Sequence, residues 1–180
     1  MEKIGVFCAS SDKMDAVYTE EAKKLGEWIG NQNKTLIYGG SNVGLMEVVA
    51  QGVKHTGKGI VVGVVPKILI ERGMVSECVG IKVPTEDLTD RKMWMMKLSD
   101  VFVVLPGSVG TLDEAFSVMS QNAIGISNKK VIFWNINGFW NKLFETFDWL
   151  SQSGAANKPF NDLMLKANSL EEVIELINKA

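Results

Sequence analysis

Short apolar runs alternate with amphipathic stretches along the whole of this chain, and that alternation restricts the fold more than any other feature. The clearest unit runs from Val101 to Glu114. Residues 101–105 are continuously apolar, which reads as a strand buried on both faces. Pro106-Gly107 stops the strand and opens a tight turn. Gly110 and Thr111 then lead into the helical spacing of Leu112, Ala115, Phe116, Val118 and Met119, with Glu114 expected in the first helical turn. A strand that feeds a glycine turn and a helix start is suited to an anion. Backbone N–H groups converge there, and the helix dipole favours negative charge.

The same unit recurs. Residues 4–8 are a short apolar strand, followed by Ala9-Ser10-Ser11-Asp12, rich in capping types. A helix is expected over 14–29, stopped by Gly30 and Asn31. Residues 35–38 form the second strand, 39–44 a second glycine-rich turn and 45–53 a second helix. Gly57 and Gly59 lead to a third strand at 60–65, ended by Pro66. Residues 67–80 are mixed in polarity and read as a short helix or loop, and 81–83 as a weak strand. A helix over 87–98 carries a methionine-rich face of Leu88, Met93, Trp94, Met95 and Met96. A strand at 130–134 and a helix through Phe139, Leu143, Phe147 and Leu150 follow, then a loop at 151–158. Residues 160–167 fit helix or strand equally, and Ser169 caps a last helix with Glu171 and Glu172 in its first turn. Such alternation predicts an α/β fold: a mostly parallel sheet covered by helices on both faces, with ligands bound beyond the carboxyl ends of the strands. With no shift in composition and no internal repeat, residues 1–180 read as a single domain.

Composition narrows the function. Nineteen Lys and Arg stand against 21 Asp and Glu, with no basic run, so nucleic acid is not an expected partner. Cys8 and Cys78 lack the spacing of a zinc or redox motif, and no metal cluster is expected. No apolar run reaches membrane-spanning length, and the N-terminus is too short and mixed for a signal peptide. A cytoplasmic protein is expected.

The turn at 39–44 has the outer spacing of a P-loop, but Leu45-Met46 stand where Lys and Ser/Thr are needed, which disfavours a nucleoside triphosphatase. Neither turn has the dinucleotide pattern Gly-x-Gly-x-x-Gly. Each turn alone reads equally as a plain strand–helix connection; two on neighbouring strand ends favour a phosphate site. Gly107-Ser108-Val109-Gly110 is similar to a nucleophile elbow, but Pro106 replaces its first glycine, and the one histidine, His55, falls at a helix end. Arg91-Lys92 read either as a solvated pair or as cations aimed at the end of the central strand. The methionines and Trp94 suit core or subunit contact, and Met93, Met96 and Trp94 also suit walls for a flat base. Lys67 is the one candidate for a Schiff base, with nothing around it that supports a pyridoxal site.

Pro106-Gly107-Ser108-Val109-Gly110-Thr111-Leu112-Asp113-Glu114 resembles the Pro-Gly-Gly-x-Gly-Thr-x-x-Glu motif of the LOG family, long labelled "possible lysine decarboxylase". The resemblance extends to Tyr38-Gly39-Gly40-Ser41-Asn42-Val43-Gly44-Leu45-Met46, to Val62-Gly63-Val64-Val65-Pro66-Lys67, to Arg91-Lys92 and to the Asn-x-x-Gly at 135–138. It implies a Rossmann-like three-layer sandwich and a homodimer. It implies hydrolysis of a nucleoside 5′-monophosphate, either a cytokinin riboside monophosphate or AMP, to free base and ribose 5-phosphate. No cofactor is implied. Carried over residue by residue, Arg91 and Glu114 match the catalytic arginine and glutamate. Gly107, Ser108, Val109, Gly110 and Thr111 match the phosphate loop. Gly39, Gly40, Ser10, Lys92 and Glu77 fall on substrate-binding positions. A non-catalytic nucleotide or cofactor carrier of the same superfamily is the alternative.

The chain departs from that pattern at four places. Ser108 replaces a glycine: either the position requires positive φ or close backbone approach to phosphate and serine is costly there, or the hydroxyl adds a phosphate donor. Ser41 replaces the third glycine of the first turn. Glu47 takes a place commonly held by a small residue, and is expected to point away or to hold a ribose hydroxyl. Gln121-Asn122-Ala123 stand where the family often has Trp-x-Gln.

Overall fold

A computed structural model describes residues 2–179; Met1 and Ala180, the two ends of the expected domain, lie outside the described residues. Seven strands form one sheet: β1 (Lys3–Phe7), β2 (Thr35–Tyr38), β3 (Ile60–Pro66), β4 (Ile81–Thr85), β5 (Val101–Val104), β6 (Val131–Trp134) and β7 (Leu165–Ala167). Their order is β4-β3-β2-β1-β5-β6-β7 and every pairing is parallel, so the sheet expected to be mostly parallel is wholly so. The segment left open at 160–167 resolves into a 3-10 turn, Phe160–Asp162, and the edge strand β7. The weak strand expected at 81–83 is real and lies at the other edge, where Pro84 is tolerated because one side of the strand has no partner to satisfy.

Seven helices cover the sheet: α1 (Ala16–Asn31), α2 (Gly44–His55), α3 (Lys67–Glu71), α4 (Leu88–Leu98), α5 (Val109–Ala123), α6 (Asn141–Gln152) and α7 (Leu170–Asn178). Strand periodicity sorts their partners. Ile4, Val6, Val101, Val103, Ile132 and Trp134 point to one face, against Leu25 and Ile29 of α1, Val49 and Val53 of α2, and Val173 and Ile177 of α7. Phe7, Phe102, Val104, Val131 and Phe133 point to the other, against Met95 of α4, Val118 and Met119 of α5, and Phe144 and Phe147 of α6. The result is the expected three-layer sandwich. Among the described residues, no helix is long and apolar enough to cross a membrane.

The methionine face of α4 does not form as expected. Only Met95 of that helix is buried, while Leu88, Met93 and Trp94 are exposed, because residues 93, 94 and 95 fall on successive sides of a helix. The functional geometry follows from strand order. The chain runs outward from β1 to β4 and then returns to place β5 on the other side of β1. The switch point lies between β1 and β5, where a crevice opens at the carboxyl ends of the strands.

Candidate active site

At that switch point lies a small cleft of about 150 Å³, lined by Cys8, Ala9, Ser10, Met46, Leu88, Arg91, Lys92, Ser108, Gly110, Thr111, Asp113 and Glu114. Three elements deliver its chemistry. The end of β1 brings Cys8 to Ser10, tied to the β5 turn by a hydrogen bond from Ala9 N to Pro106 O of 3.0 Å. The first turns of α4 bring Arg91 and Lys92, with Asp87 capping the helix by accepting from Thr89 N and Asp90 N. The N-terminal half of α5 brings Ser108 to Glu114.

α5 begins earlier than its apolar spacing suggests, at Val109, so Glu114 sits in its second turn and not its first. The correction matters, because one turn further in places Glu114 beneath the sheet end, 5% exposed. Arg91 Nη2 lies 3.3 Å from Glu114 Oε1. The contact is an ion pair without hydrogen-bond alignment, so Glu114 Oε1 has no hydrogen-bond partner although it is buried. Burial pushes the Glu114 carboxyl up to about 7, aided by the charge of Asp113 and opposed first by Arg91 and then by Lys92. The group is therefore poised between acid and base at neutral pH. Arg91 is held from both ends. Its Nε donates to Val64 O at 3.1 Å, and a Cβ on Gly39 would stand 1.7 Å from Nη2. Lys92 Nζ donates to Asp113 Oδ1 at 2.7 Å. Burial, and next the nearby Glu114, push the Cys8 thiol well up, so it stays a neutral sulfur lining the cleft.

The start of α5 has no side-chain cap. Ser108 is the N-cap of α5, yet its side chain makes no capping hydrogen bond. Its φ is −115°, so serine carries no positive-φ strain there. Gly110 faces open space. Gly107 packs against Thr111, whose Oγ1 lies 2.1 Å from where a Cβ would be.

Of the residues expected at the site, the structure gathers Ser10, Arg91, Lys92, Ser108, Gly110, Thr111 and Glu114 on the cleft. Gly107 supports it from behind, and Val109 points to solvent at 80% exposure. Gly39 and Gly40 do not line the cleft; they back Arg91 and the strand β3 residue Val65. Glu77 is exposed on the loop after α3 and stays outside the cleft, although its neighbour Ser76 donates its N–H to Gly40 O at 2.9 Å. The N–H of Gly44, at the start of α2, is taken by Asp12 Oδ1 at 2.8 Å, so the first turn's helix end is filled by the protein itself. Glu47 is not among the residues lining the cleft; its Oε1 accepts from Gln51 Nε2 at 2.9 Å. Met93, Trp94 and Met96 line a separate groove with Val118 and Ile126, so they are not walls of this cleft; Met46 and Leu88 are. Lys67 is exposed and ion-paired with Glu86. Asp113, Cys8, Ala9, Met46 and Leu88 are the cleft residues that sequence reasoning missed. The Asp-Glu doublet pointed towards the first of them, since neighbours on a helix can flank one cleft. Among the described residues, no group of three or more His, Cys, Asp or Glu side chains is placed to hold a metal ion.

Comparison with known proteins gives the family and the fold. Residues 46–177 match the family model described as "Possible lysine decarboxylase". The chain is similar to a cytokinin riboside 5′-monophosphate phosphoribohydrolase of Arabidopsis thaliana, 34% identical over 177 residues, covering 98% of this chain and 82% of that protein. It is similar to a probable enzyme of the same description from Oryza sativa subsp. japonica, 35% identical, covering 98% and 72%. Among solved structures it superposes on the molybdenum cofactor binding protein of Rippkaea orientalis with a TM-score of 0.72 at 24% identity, covering 99% of this chain and 96% of that one. The Moco carrier protein of Chlamydomonas reinhardtii gives 0.74 at 21% identity, with the same coverage. At those identities the two structures speak for the fold alone.

Proposed function

The chain belongs to the "possible lysine decarboxylase" family, which includes the LOG phosphoribohydrolases, and on that premise we propose that it hydrolyses the N-glycosidic bond of a nucleoside 5′-monophosphate. The observation that carries this reading is the buried Arg91–Glu114 pair opening onto the same cleft as the uncapped start of α5. The phosphate sits at the helix start, taking backbone N–H groups of α5 and the hydroxyls of Ser108 and Thr111. The ribose then lies over Glu114. As the bond from C1′ to the base nitrogen breaks, the sugar gains oxocarbenium character. Ionised Glu114 stabilises that charge and orients water towards C1′. Water supplies the hydroxyl of ribose 5-phosphate, and the base leaves with the other proton. Arg91 holds a fixed positive charge beside the carboxylate and the departing base.

A cleft of about 150 Å³ is smaller than the ~300 Å³ usual for a whole small-molecule ligand, so the base rests at its rim against Met46 and Leu88. The substrate base is adenine or a prenylated adenine, the protein is a cytoplasmic homodimer, and neither nucleic acid nor membrane is a partner in this reading. The carrier alternative has the same cradle without cleavage. Lysine decarboxylation would draw on pyridoxal chemistry, for which the ion-paired, exposed Lys67 offers no enclosed site.

The test is a panel of nucleoside 5′-monophosphates with free base read by chromatography. Wild-type protein is expected to release base, and Glu114→Gln to bind AMP while losing at least ~10²-fold in kcat. Binding of AMP with no base release by the wild type would establish the carrier reading instead.

A further inference from the structure

The pair formed by Lys92 and Asp113 has no part in the reaction as derived above, yet both residues line the cleft. Lys92 Nζ donates to Asp113 Oδ1 at 2.7 Å. The lysine is enclosed, with its side chain 19% exposed, while the aspartate is 54% exposed. Arg91, the other cation on the cleft, is committed to Val64 O, to Glu114 and to the space beside Gly39. Lys92 is thus the cleft cation that can change partner. A second observation indicates that a ligand enters here: Glu114 Oε1, on a side chain more than nine-tenths buried, faces the same cleft without a hydrogen-bond partner.

We propose that Asp113 is an internal competitor for the substrate's phosphate: it holds Lys92 across the mouth of the empty cleft, and a phosphate dianion takes Lys92 from it. Three physical points support this. An ion pair whose acid is half in solvent contributes little, so exchanging its acid partner costs little. Phosphate is the stronger competitor, with a charge near −2 and several acceptor oxygens against a single carboxylate. The α5 helix start lies within two turns of Asp113, so a bound phosphate and an inward-facing carboxylate repel each other unless Asp113 swings out, which its exposure permits. Asp113 is then a specificity-determining residue. An unphosphorylated nucleoside brings no group able to displace it, and the cation stays latched.

The latch rests on the proposed reading only in requiring a phosphate in the cleft; it does not require hydrolysis. Calorimetric titration of ribose 5-phosphate into the wild type, Asp113→Asn, Lys92→Met and the double variant tests it. Asp113→Asn is expected to bind about 3–5-fold tighter, the range set by a partly exposed pair. Lys92→Met is expected to bind more weakly. In the Lys92→Met background, Asp113→Asn is expected to gain clearly less than in the wild type, because only repulsion and no release of a cation is left. An equal gain in both backgrounds would show plain repulsion and overturn the latch, as would an unchanged or weakened Asp113→Asn. Melting curves of all four proteins, with Asp113→Ser as a second variant, establish that each is folded. Wild type that does not bind ribose 5-phosphate overturns the latch together with the cradle. Binding without base release overturns only the enzymatic reading.

Discussion

The two glycine turns start from similar local sequence and end in opposite conditions. The turn after β2 is closed. Gly39 leaves room for the Arg91 guanidinium, Gly40 takes φ +74° against Val65, and Gly44 takes φ +64° with its Cβ position 2.5 Å from Ser11 N. Asp12 fills its helix end. The turn after β5 is open at Gly110, where an added Cβ would meet no side chain or neighbouring element, and the Ser108 side chain makes no capping hydrogen bond. Glycine thus serves two ends in one molecule. In the first turn it admits another part of the protein, and in the second it leaves a face for a ligand. The first turn acts on the chemistry indirectly, by holding the arginine that the second turn's helix needs beside Glu114.

That contrast is breakable, and the sharpest test is Gly39→Ala. A Cβ 1.7 Å from Arg91 Nη2 forces the guanidinium aside, and the substitution is expected to cost about 1–3 kcal/mol in stability and at least ~10²-fold in kcat, read by denaturant melts and base release. Next in size is the folding effect of Glu114→Gln. Burial raises the folded-state pKa of Glu114 to about 7 against an ordinary 4.5, so the folded protein holds its proton longer than the unfolded chain does. Wild-type stability therefore falls as pH rises from about 4.5 to 7, and the neutral glutamine escapes that loss. The variant is expected to be more stable by about 1–3 kcal/mol at pH 8 and nearly equal at pH 4, measured by melting across that range. Its stabilisation, alongside lost turnover, marks the carboxylate as present for function. Smaller again is Gly110→Ala. Here the methyl meets open space within a helix, so stability is expected to rise by ~0.5–1 kcal/mol while KM for the monophosphate increases. The opposite sign from Gly39→Ala is the direct test of closed against open. Smallest is Ser108→Gly, expected to shift stability by a few tenths of a kcal/mol, with KM rising as the hydroxyl is lost.

Much of this was legible before the structure. Apolar runs and glycine stops placed five of the seven strands within a residue or so, because a strand buried on both faces leaves a continuous apolar signature. The edge strands were harder: β4 contains Pro84 and β7 is three residues long, so neither makes such a run. Arg91 and Glu114 came from motif resemblance, not periodicity. The roles of Gly39 and Gly40 were not readable, since a glycine's job depends on what approaches it, and Arg91 is some fifty residues away along the chain. Nor was the partnership of Lys92 with Asp113, since no local pattern links the second turn of one helix to the second turn of the next. The methionines of α4 misled for a related reason: residue type suggested one face, and helical geometry divided them.

The placement of the cleft between β1 and β5 also bears on how the molecule comes to be active. Those neighbours are far apart in sequence; Lys3 N and Asp100 Oδ2, joined at 2.8 Å, are separated by 97 residues. The other strand pairings link segments much closer along the chain. Closing the longest loop carries the largest entropy cost, and long-range parallel pairing is slow. The first four strands emerge from the ribosome before β5 does. The cleft is therefore completed last: if the proposed hydrolysis holds, helical signal is expected to return before base release in refolding, and the lag measures how long the two halves of the sheet take to meet.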